Sequence, residues 1–316
     1  MAHTYRDGDV AVDAEVVIAC VVEAASAILQ IYDADDASWG VVSKSDESPL
    51  TKADLAANAV ICERLAKAYP AIPIVSEETK QAPYDERRGW RHCWCVDPLD
   101  GTKEFIKRNG QFTVNVALLE AGTPVLGCVH VPCTGETYFA VKGAGAFLRR
   151  KADDGDGATP AADEAIACAK FSWTDPNLVV IGSRSHKGGA ASEAFITPFR
   201  SPSFASMGSS LKFLEVARGA AHVYPRFAPT CEWDTAAAHC VLSEAGGRIV
   251  QAGLCDGAGA FVPSPPAASE EGGDAGGLTW QEALQQNKDV RYNKEQVLNP
   301  FFVAYGACSD PPPVPE

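Results

Sequence analysis

Apolar positions recur at helical spacing in two stretches near the start of the chain. Residues 10–32 form an Ala- and Val-rich run that predicts a helix. Residues 51–68 predict a second, with Thr51 placed to cap it and Leu55, Ala59, Cys62 and Leu65 near helical spacing. Pro70 and Pro73 stop that helix, and Ile72 to Val75 predict a short buried strand. Trp90 to Val96 predict another strand, ending in the turn signal Asp-Pro-Leu-Asp-Gly. Phe112 to Leu119, Val125 to Val131 and Thr137 to Val141 continue a β-rich region. Gly143 and Gly145 mark a turn, and Leu148 breaks the dinucleotide-binding glycine pattern that they begin.

Residues 151–165 are rich in Asp, Gly and Ala and predict a surface loop or lobe boundary. Leu178 to Ile181 predict a strand. Ser209 to Arg218 and Asp234 to Ala245 predict helices, the first ended near Gly219 and the second by Gly246 and Gly247. Residues 252–277 are dense in Gly, Pro, Ala, Ser and acids and predict a flexible surface insertion. Strands and helices mix throughout without an internal repeat, which predicts layered α and β structure.

Composition narrows the function. The chain has 316 residues, 46% of them hydrophobic, enough for a sizeable core in one large domain or two packed lobes. Its formal net charge is −14 and no Lys/Arg stripe is present, so no nucleic-acid partner is expected. A small anionic substrate is still compatible, because bound divalent cations reverse the local sign of an acidic site. The 11 cysteines lack zinc or disulfide spacing: Cys93 and Cys95 form C-x-C, and Cys128 and Cys133 match no finger. Reduced thiols acting as small core hydrophobes in a cytoplasmic protein are expected. Met1 to Asp9 do not resemble a signal peptide, and Val16 to Ile31, interrupted by Glu23, reads as a packed helix, so no membrane partner is expected.

Four acidic sites stand out: Asp54, Glu77-Glu78, Asp97 with Asp100, and Asp234. Each has an ordinary explanation alone. Asp54 follows Thr51 at capping-box distance, Asp234 can cap a helix, Glu77-Glu78 can be a solvated pair, and Asp97 to Thr102 can be only a turn. Trp233 is expected in the core regardless. Two carboxylates three residues apart across a turn, with the Leu99 carbonyl between them, also make an all-oxygen set suited to Mg²⁺. Backbone N–H groups after Gly101 can meet phosphate oxygens.

The order of these segments resembles the lithium-sensitive, magnesium-dependent phosphomonoesterase superfamily that includes the inositol monophosphatases. The matching segments are TKAD ending at Asp54, SEE at 76–78, DPLDGT at 97–102 and EWDTAAA at 232–238. Within it the chain is most similar to 3'(2'),5'-bisphosphate nucleotidases of the CysQ type, through DPLDGTKEFIKRNGQFTVNVALLE at 97–120, GSRSH at 182–186, GSSLKFLEVARG at 208–219 and YPRFAPTCEWD at 224–234. Ala238 stands where relatives often carry Gly, a change with little expected effect.

The resemblance implies an α/β fold, the layered α-β-α-β-α sandwich of the inositol monophosphatase and fructose-1,6-bisphosphatase type. It implies an N-terminal lobe over 10–150 and a C-terminal lobe over 166–306. It implies two to three Mg²⁺ ions, one on Glu77, Asp97 and the Leu99 carbonyl, a second on Asp97, Asp100 and Asp234, and a third near Glu77. Thr102, hydrogen-bonded to Asp54, would orient and deprotonate the attacking water, with Glu78 in support. Gly101, Thr102, His186, Ser209, Ser210, Lys212, Arg226 and Asp234 would contact substrate. The implied reaction is hydrolysis of the 3'-phosphate of adenosine 3',5'-bisphosphate (PAP) to AMP, with PAPS as a second substrate, by a monomer. The alternatives are an inositol phosphate phosphatase using the same metals and a catalytically dead phosphonucleotide sensor. The intact ligand positions count against the sensor.

Overall fold

Along residues 92–100, side-chain alternation sends Trp94 and Val96 to one face of a strand and Cys93 and Cys95 to the other, and all four are buried. A sheet apolar on both faces must be covered twice. The computed structural model shows how; it describes residues 3–34, 39–43, 49–151, 162–183, 189–255, 261–262 and 280–313.

The first cover is a helix pair. Helix α1 is Ala14–Tyr32, capped by Asp13, whose side chain accepts the Glu15 N–H at 3.0 Å. It starts later than periodicity predicts, because Val10–Asp13 pairs with Thr4–Asp7 as a hairpin. At 19 residues it is long and apolar enough to cross a bilayer, but Val17, Val21, Ala24 and Ile28 are buried in the core. Helix α2 is Lys52–Ala68. Its buried stripe is Ala53, Ala57, Ile61 and Leu65, a strict i, i+4 series, while Leu55 is 49% exposed. The expected Leu55–Ala59–Cys62 face is therefore the wrong side of the helix; only Leu65 belongs to the core stripe.

The first sheet contains Ile74–Ser76 (β1), His92–Asp100 (β2), Thr113–Glu120 (β3), Thr123–Val131 (β4), Glu136–Val141 (β5), Gly145–Arg149 (β6) and Glu164–Ile166 (β7). The strands lie in chain order, β1 parallel to β2 and the rest antiparallel. The second sheet contains Val179–Ser183 (β8), Ser203–Met207 (β9), Val223–Arg226 (β10), Arg248–Gln251 (β11) and Phe302–Tyr305 (β12), in the order β9-β8-β10-β12-β11.

Between the sheets lie helices α4 (Leu211–Ala217) and α5 (Glu232–Glu244), a short α3 (Thr102–Ile106) having followed β2. Ala236, Ala237, Cys240 and Val241 of α5 share one core with Cys93 and Cys95 of β2 and with Tyr224 and Phe302 of the second sheet. The far face of the second sheet buries Val180, Val223 and Val303 with Phe195 of the helix Gly189–Ile196 and Leu284 of Trp280–Gln285. The layers thus run helix, sheet, helix, sheet, helix, as the resemblance implies.

Most strand expectations lie within a few residues of the observed bounds, but one differs in kind. β2 does not end before Asp97: pairing with β3 continues at Asp97↔Asn115, shifts register, and resumes at Asp100↔Thr113. The helix expected from Ser209 to Arg218 is shorter, Leu211–Ala217. Most of the expected loop at 151–165 and insertion at 252–277 lies outside the described residues, save Glu164–Ile166 and a hairpin of Leu254–Cys255 with Phe261–Val262.

Candidate metal centre and active site

The register shift in β2 builds the centre of the site. Pro98 has no N–H for the ladder, and the chain leaves it between Asp97 and Asp100. The Leu99 N–H turns back to Asp97 Oδ1 at 3.0 Å. Gly101 then takes φ +96°, and a Cβ there would lie 3.1 Å from the Gln111 carbonyl and 3.3 Å from Ser209 Cβ. Glycine is needed for both the backbone angle and the close approach.

Three more elements bring carboxylates to this turn. Glu77 follows β1, its N–H bonded to the Val96 carbonyl at 3.1 Å. Asp234 sits in the first turn of α5, which starts two residues before the expected Asp234, so Asp234 is not the cap itself. Cys231 occupies the N-cap, and Asp234 Oδ2 accepts its N–H at 2.8 Å. Carboxylate oxygens of Glu77, Asp97 and Asp234 lie within 4.8 Å of one another. Asp100 Oδ2 accepts from Ser209 Oγ at 2.7 Å and Ser210 Oγ at 2.9 Å.

The electrostatics of this cluster are unfavourable without a cation. Burial, then the charges of Glu77, Asp100 and Asp234, push the Asp97 carboxyl well above the usual range. Asp234 is pushed the same way by burial, then by Asp100 and Glu77. Asp97 Oδ2 is buried and, among the described residues, has no hydrogen-bond partner. A buried, unpartnered oxygen amid like charges fits a hard divalent cation, which takes oxygen ligands of this type.

Asp54 joins from α2. The Thr51 N–H donates to Asp54 Oδ2 at 2.8 Å, so the capping-box explanation is realised. Asp54 Oδ1 also accepts the Thr102 hydroxyl at 3.1 Å. Burial raises the Asp54 carboxyl above its ordinary range, against the pull of its bonds to Thr51 and Thr102. One carboxylate thus serves both as helix cap and as partner of the Thr102 hydroxyl. Glu78 follows Glu77 and is half-buried.

Beyond the carboxylates lies a cavity of about 140 Å³, lined by residues including Asp100, Glu104, Ser209, Lys212, Arg226 and Asp234. Lys212 is 5% exposed; its Nζ donates to the Ser209 carbonyl at 2.5 Å and lies 5.4 Å from the Tyr224 ring centre. Burial pulls its ammonium down to about 8. Arg226 donates to the Ala228 and Pro229 carbonyls at 3.1 and 2.7 Å. An adjoining cavity of about 350 Å³ shares Ser183, Tyr224 and Arg226. The other predicted site residues among the described ones border the carboxylate cluster or these cavities, Glu78 adjoins Glu77 in the chain, and His186 lies outside the described residues. Sequence reasoning missed Glu104 and Thr235 in the cavity wall and Thr113 and Asn115 behind Asp100. The polar Thr and Asn at alternate positions of an otherwise apolar strand were the available signal.

Residues 9–291 match the sequence pattern of the Inositol monophosphatase family. The 3'(2'),5'-bisphosphate nucleotidase CysQ of Escherichia coli strain K12 is 42% identical over 230 residues, 72% of this chain and 85% of that protein. The protein of that name from Haemophilus influenzae is 35% identical over 210 residues, 65% of this chain and 73% of that one. The crystal structure of CysQ from Bacteroides thetaiotaomicron superposes with a TM-score of 0.69 at 36% identity, covering 93% of this chain and 97% of that one. With these likenesses, the layered fold and the carboxylate cluster, the chain belongs to the inositol monophosphatase family.

Proposed function

We propose that the protein is a Mg²⁺-dependent 3'(2'),5'-bisphosphate nucleotidase that hydrolyses the 3'-phosphate of PAP to give AMP, and converts PAPS to APS as a second reaction. The observation that carries the metal dependence is the buried, unpartnered Asp97 Oδ2 among Glu77, Asp100 and Asp234. The nucleotide preference is supported by the names of the relatives and by the paired cavities, which offer room for a nucleoside beside a phosphate.

In this reading Glu77, Asp97 and the Leu99 carbonyl hold one ion, and Asp97, Asp100 and Asp234 hold another. A third is assigned near Glu77, with Glu78 in support. Bound Mg²⁺ supplies Lewis acidity for the phosphoryl group and acidifies a water. The Thr102 hydroxyl, with its hydrogen directed at Asp54 Oδ1, turns a lone pair to the attacking water and accepts its proton as Asp54 accepts its own. The raised Asp54 carboxyl suits that transfer. Backbone N–H groups at Gly101 and Thr102 face the scissile phosphate. Lys212 and Arg226 carry the charge for the other phosphate, with Ser209, Ser210 and His186 completing the substrate contacts. The enzyme acts as a cytoplasmic monomer.

The test is phosphate release from PAP and from inositol 1-phosphate, each with Mg²⁺ and with EDTA. Mg²⁺-dependent preference for PAP is expected. Preference for the inositol ester would keep the carboxylate assignment and remove Lys212 and Arg226 from theirs. Turnover unaffected by EDTA would overturn the metal assignment.

A further inference from the structure

A cavity of about 400 Å³ opens where the segment leading into β2, the β3–β4 turn and residues 291–293 meet, and it shares no lining residue with the cavity beside Asp100. Three arginines line it, Arg88, Arg91 and Arg291, and so do Tyr84 and Trp90, whereas no carboxylate does. That composition stands out on a chain with 41 acidic and 27 basic residues. On a chain of net negative charge, this depression gathers guanidinium groups that can meet an anion.

The three guanidinium groups differ in availability. Arg91 is committed to Asp7 at 2.7 Å and Glu120 at 3.0 Å. Arg88 reaches Asp85 at 3.3 Å, but both side chains are mostly solvent-exposed, and such a pair holds weakly. Arg291 donates Nη2 to the Ala121 carbonyl at 2.6 Å and, among the described residues, has no carboxylate partner. Arg88 and Arg291 can therefore turn their forks to a bound anion.

The floor of the cavity is tied to the active site. The Tyr292 hydroxyl lies 3.2 Å from Thr235 Oγ1 and 2.9 Å from His239 Nδ1. The Asn293 N–H donates to Glu232 Oε2 at 2.6 Å. Glu232 and Thr235 are buried and flank Asp234 in the first turn of α5.

We propose that this cavity is a second, regulatory site for a small anion of the nucleotide class, whose occupation is transmitted through Tyr292 and Asn293 to the turn carrying Asp234. The arginine forks take the phosphate, and the ring faces of Trp90 and Tyr84 take the base. The volume falls in the range of sites for ligands of this size. Binding here does not depend on which phosphoester the enzyme hydrolyses.

The probe is AMP, followed by equilibrium dialysis with Mg²⁺ present. The wild-type chain is expected to bind two equivalents. Lys212→Ala, in the cavity beside Asp100, is expected to keep one of them. Arg88→Glu with Arg291→Glu, on the surface and checked for an unchanged melting temperature, is expected to weaken the other about tenfold or more. Arg291→Lys keeps the charge without the fork and should give an intermediate loss. Adenosine should bind this site at least about tenfold more weakly than AMP. Tyr292→Phe should keep the second equivalent, but abolish the shift AMP causes in the Mg²⁺ concentration for half-maximal activity. One equivalent that vanishes with Lys212→Ala would overturn the proposal. So would a second equivalent indifferent to the double charge reversal, equal binding of adenosine, or an unchanged AMP effect in Tyr292→Phe. Failure of PAP turnover would leave the stoichiometry readable and so is a separate result.

Discussion

Ser210 Oγ lies 2.9 Å from Asp100 Oδ2 and 3.0 Å from the Asp234 carbonyl, so one hydroxyl joins two segments of the carboxylate cluster that are distant along the chain. Behind it, Asn115 Nδ2 donates to Ser210 Oγ at 2.8 Å, and Thr113 Oγ1 lies 3.0 Å from Asn115 Oδ1 and 2.6 Å from Ser209 Oγ. Thr113, Asn115 and Ser210 are each no more than 1% exposed. A buried polar network of this kind fixes one rotamer of the carboxylate it serves.

Removing the back of that network should therefore act on the metal before the substrate. Asn115→Ala leaves Ser210 free to rotate and Asp100 loosely held. The Mg²⁺ concentration for half-maximal activity is expected to rise about 10- to 100-fold, the usual cost of losing a ligand's orienting partner. A Mg²⁺ titration at saturating substrate checks this, with melting temperature against Mg²⁺ as a readout independent of turnover. An unchanged Mg²⁺ requirement with only a lower melting temperature would make Asn115 purely structural.

Asp97→Asn should separate stability from activity. In the metal-free protein the Asp97 carboxyl is raised by burial and by its acidic neighbours. A raised folded-state pKa means that the folded protein holds the proton more tightly than the unfolded chain. Its stabilising contribution is present at low pH and is lost as pH rises through the folded value. With EDTA, the wild-type melting temperature should fall as pH rises from about 4 towards neutrality. Asp97→Asn should flatten that slope and melt about 2–5 °C higher near neutral pH without metal. Its turnover should drop about 10²-fold or more. Calorimetry in EDTA and phosphate release in Mg²⁺ give the two readouts.

Much of this was legible in the sequence, and the reasons for the rest are physical. The cluster could be read because its residues sit in short local signals, Asp-Pro-Leu-Asp-Gly-Thr above all, whose order along the chain is informative. Helix α2 was found but its face was misread, since Leu55 looks like core by residue type, whereas Ala53 and Ala57 allow the close approach of α1. The run of β2 through Pro98 was hidden, because a proline reads as a stop unless a register shift absorbs it. The alternation of Thr113 and Asn115 in an apolar strand marks them as unusual, but not as site residues, because their partners, Ser209 and Ser210, lie almost a hundred residues away and only tertiary pairing brings them together.

Thr102→Val should cost about 10²- to 10⁴-fold in turnover, the range for removing a positioned proton acceptor. Valine keeps the shape and removes the bond to Asp54 Oδ1. Thr102→Ser should recover most of the rate, since it restores the hydroxyl. Rates at saturating Mg²⁺ test the pair; wild-type turnover in Thr102→Val with a loss in Thr102→Ser would show that the methyl group matters and the hydroxyl does not.

Under the proposed function, Lys212 should set a pH limit on substrate binding. Burial lowers its ammonium to about 8. Below that value it is charged and can hold a phosphate; above it the charged fraction falls about tenfold per pH unit. KM for PAP should thus climb at alkaline pH, more than KM for a substrate with a single phosphate. Lys212→Arg, cationic throughout, should flatten the alkaline limb, which a pH series of initial rates would reveal.

Gly127 in β4 shows how closely α5 must approach the first sheet for Asp234 to reach Asp97. A Cβ at residue 127 would lie 2.2 Å from the Ala237 carbonyl and 2.7 Å from Cys240 Cβ. The first of these is helix backbone, which has no rotamer to swing away. Gly127→Ala must therefore push α5 off the sheet or distort β4, at a cost of about 1–3 kcal/mol or more. Displacing α5 moves its first turn, and Asp234 with it, so the variant should lose Mg²⁺ affinity as well as stability. Cys240→Ala removes a thiol from the same contact without forcing the backbones apart. It should leave Mg²⁺ affinity unchanged while costing only stability. Thermal melts of both variants across a Mg²⁺ series test this: parallel, equal shifts with Mg²⁺ in Gly127→Ala and wild type would show that the helix position does not govern the metal centre.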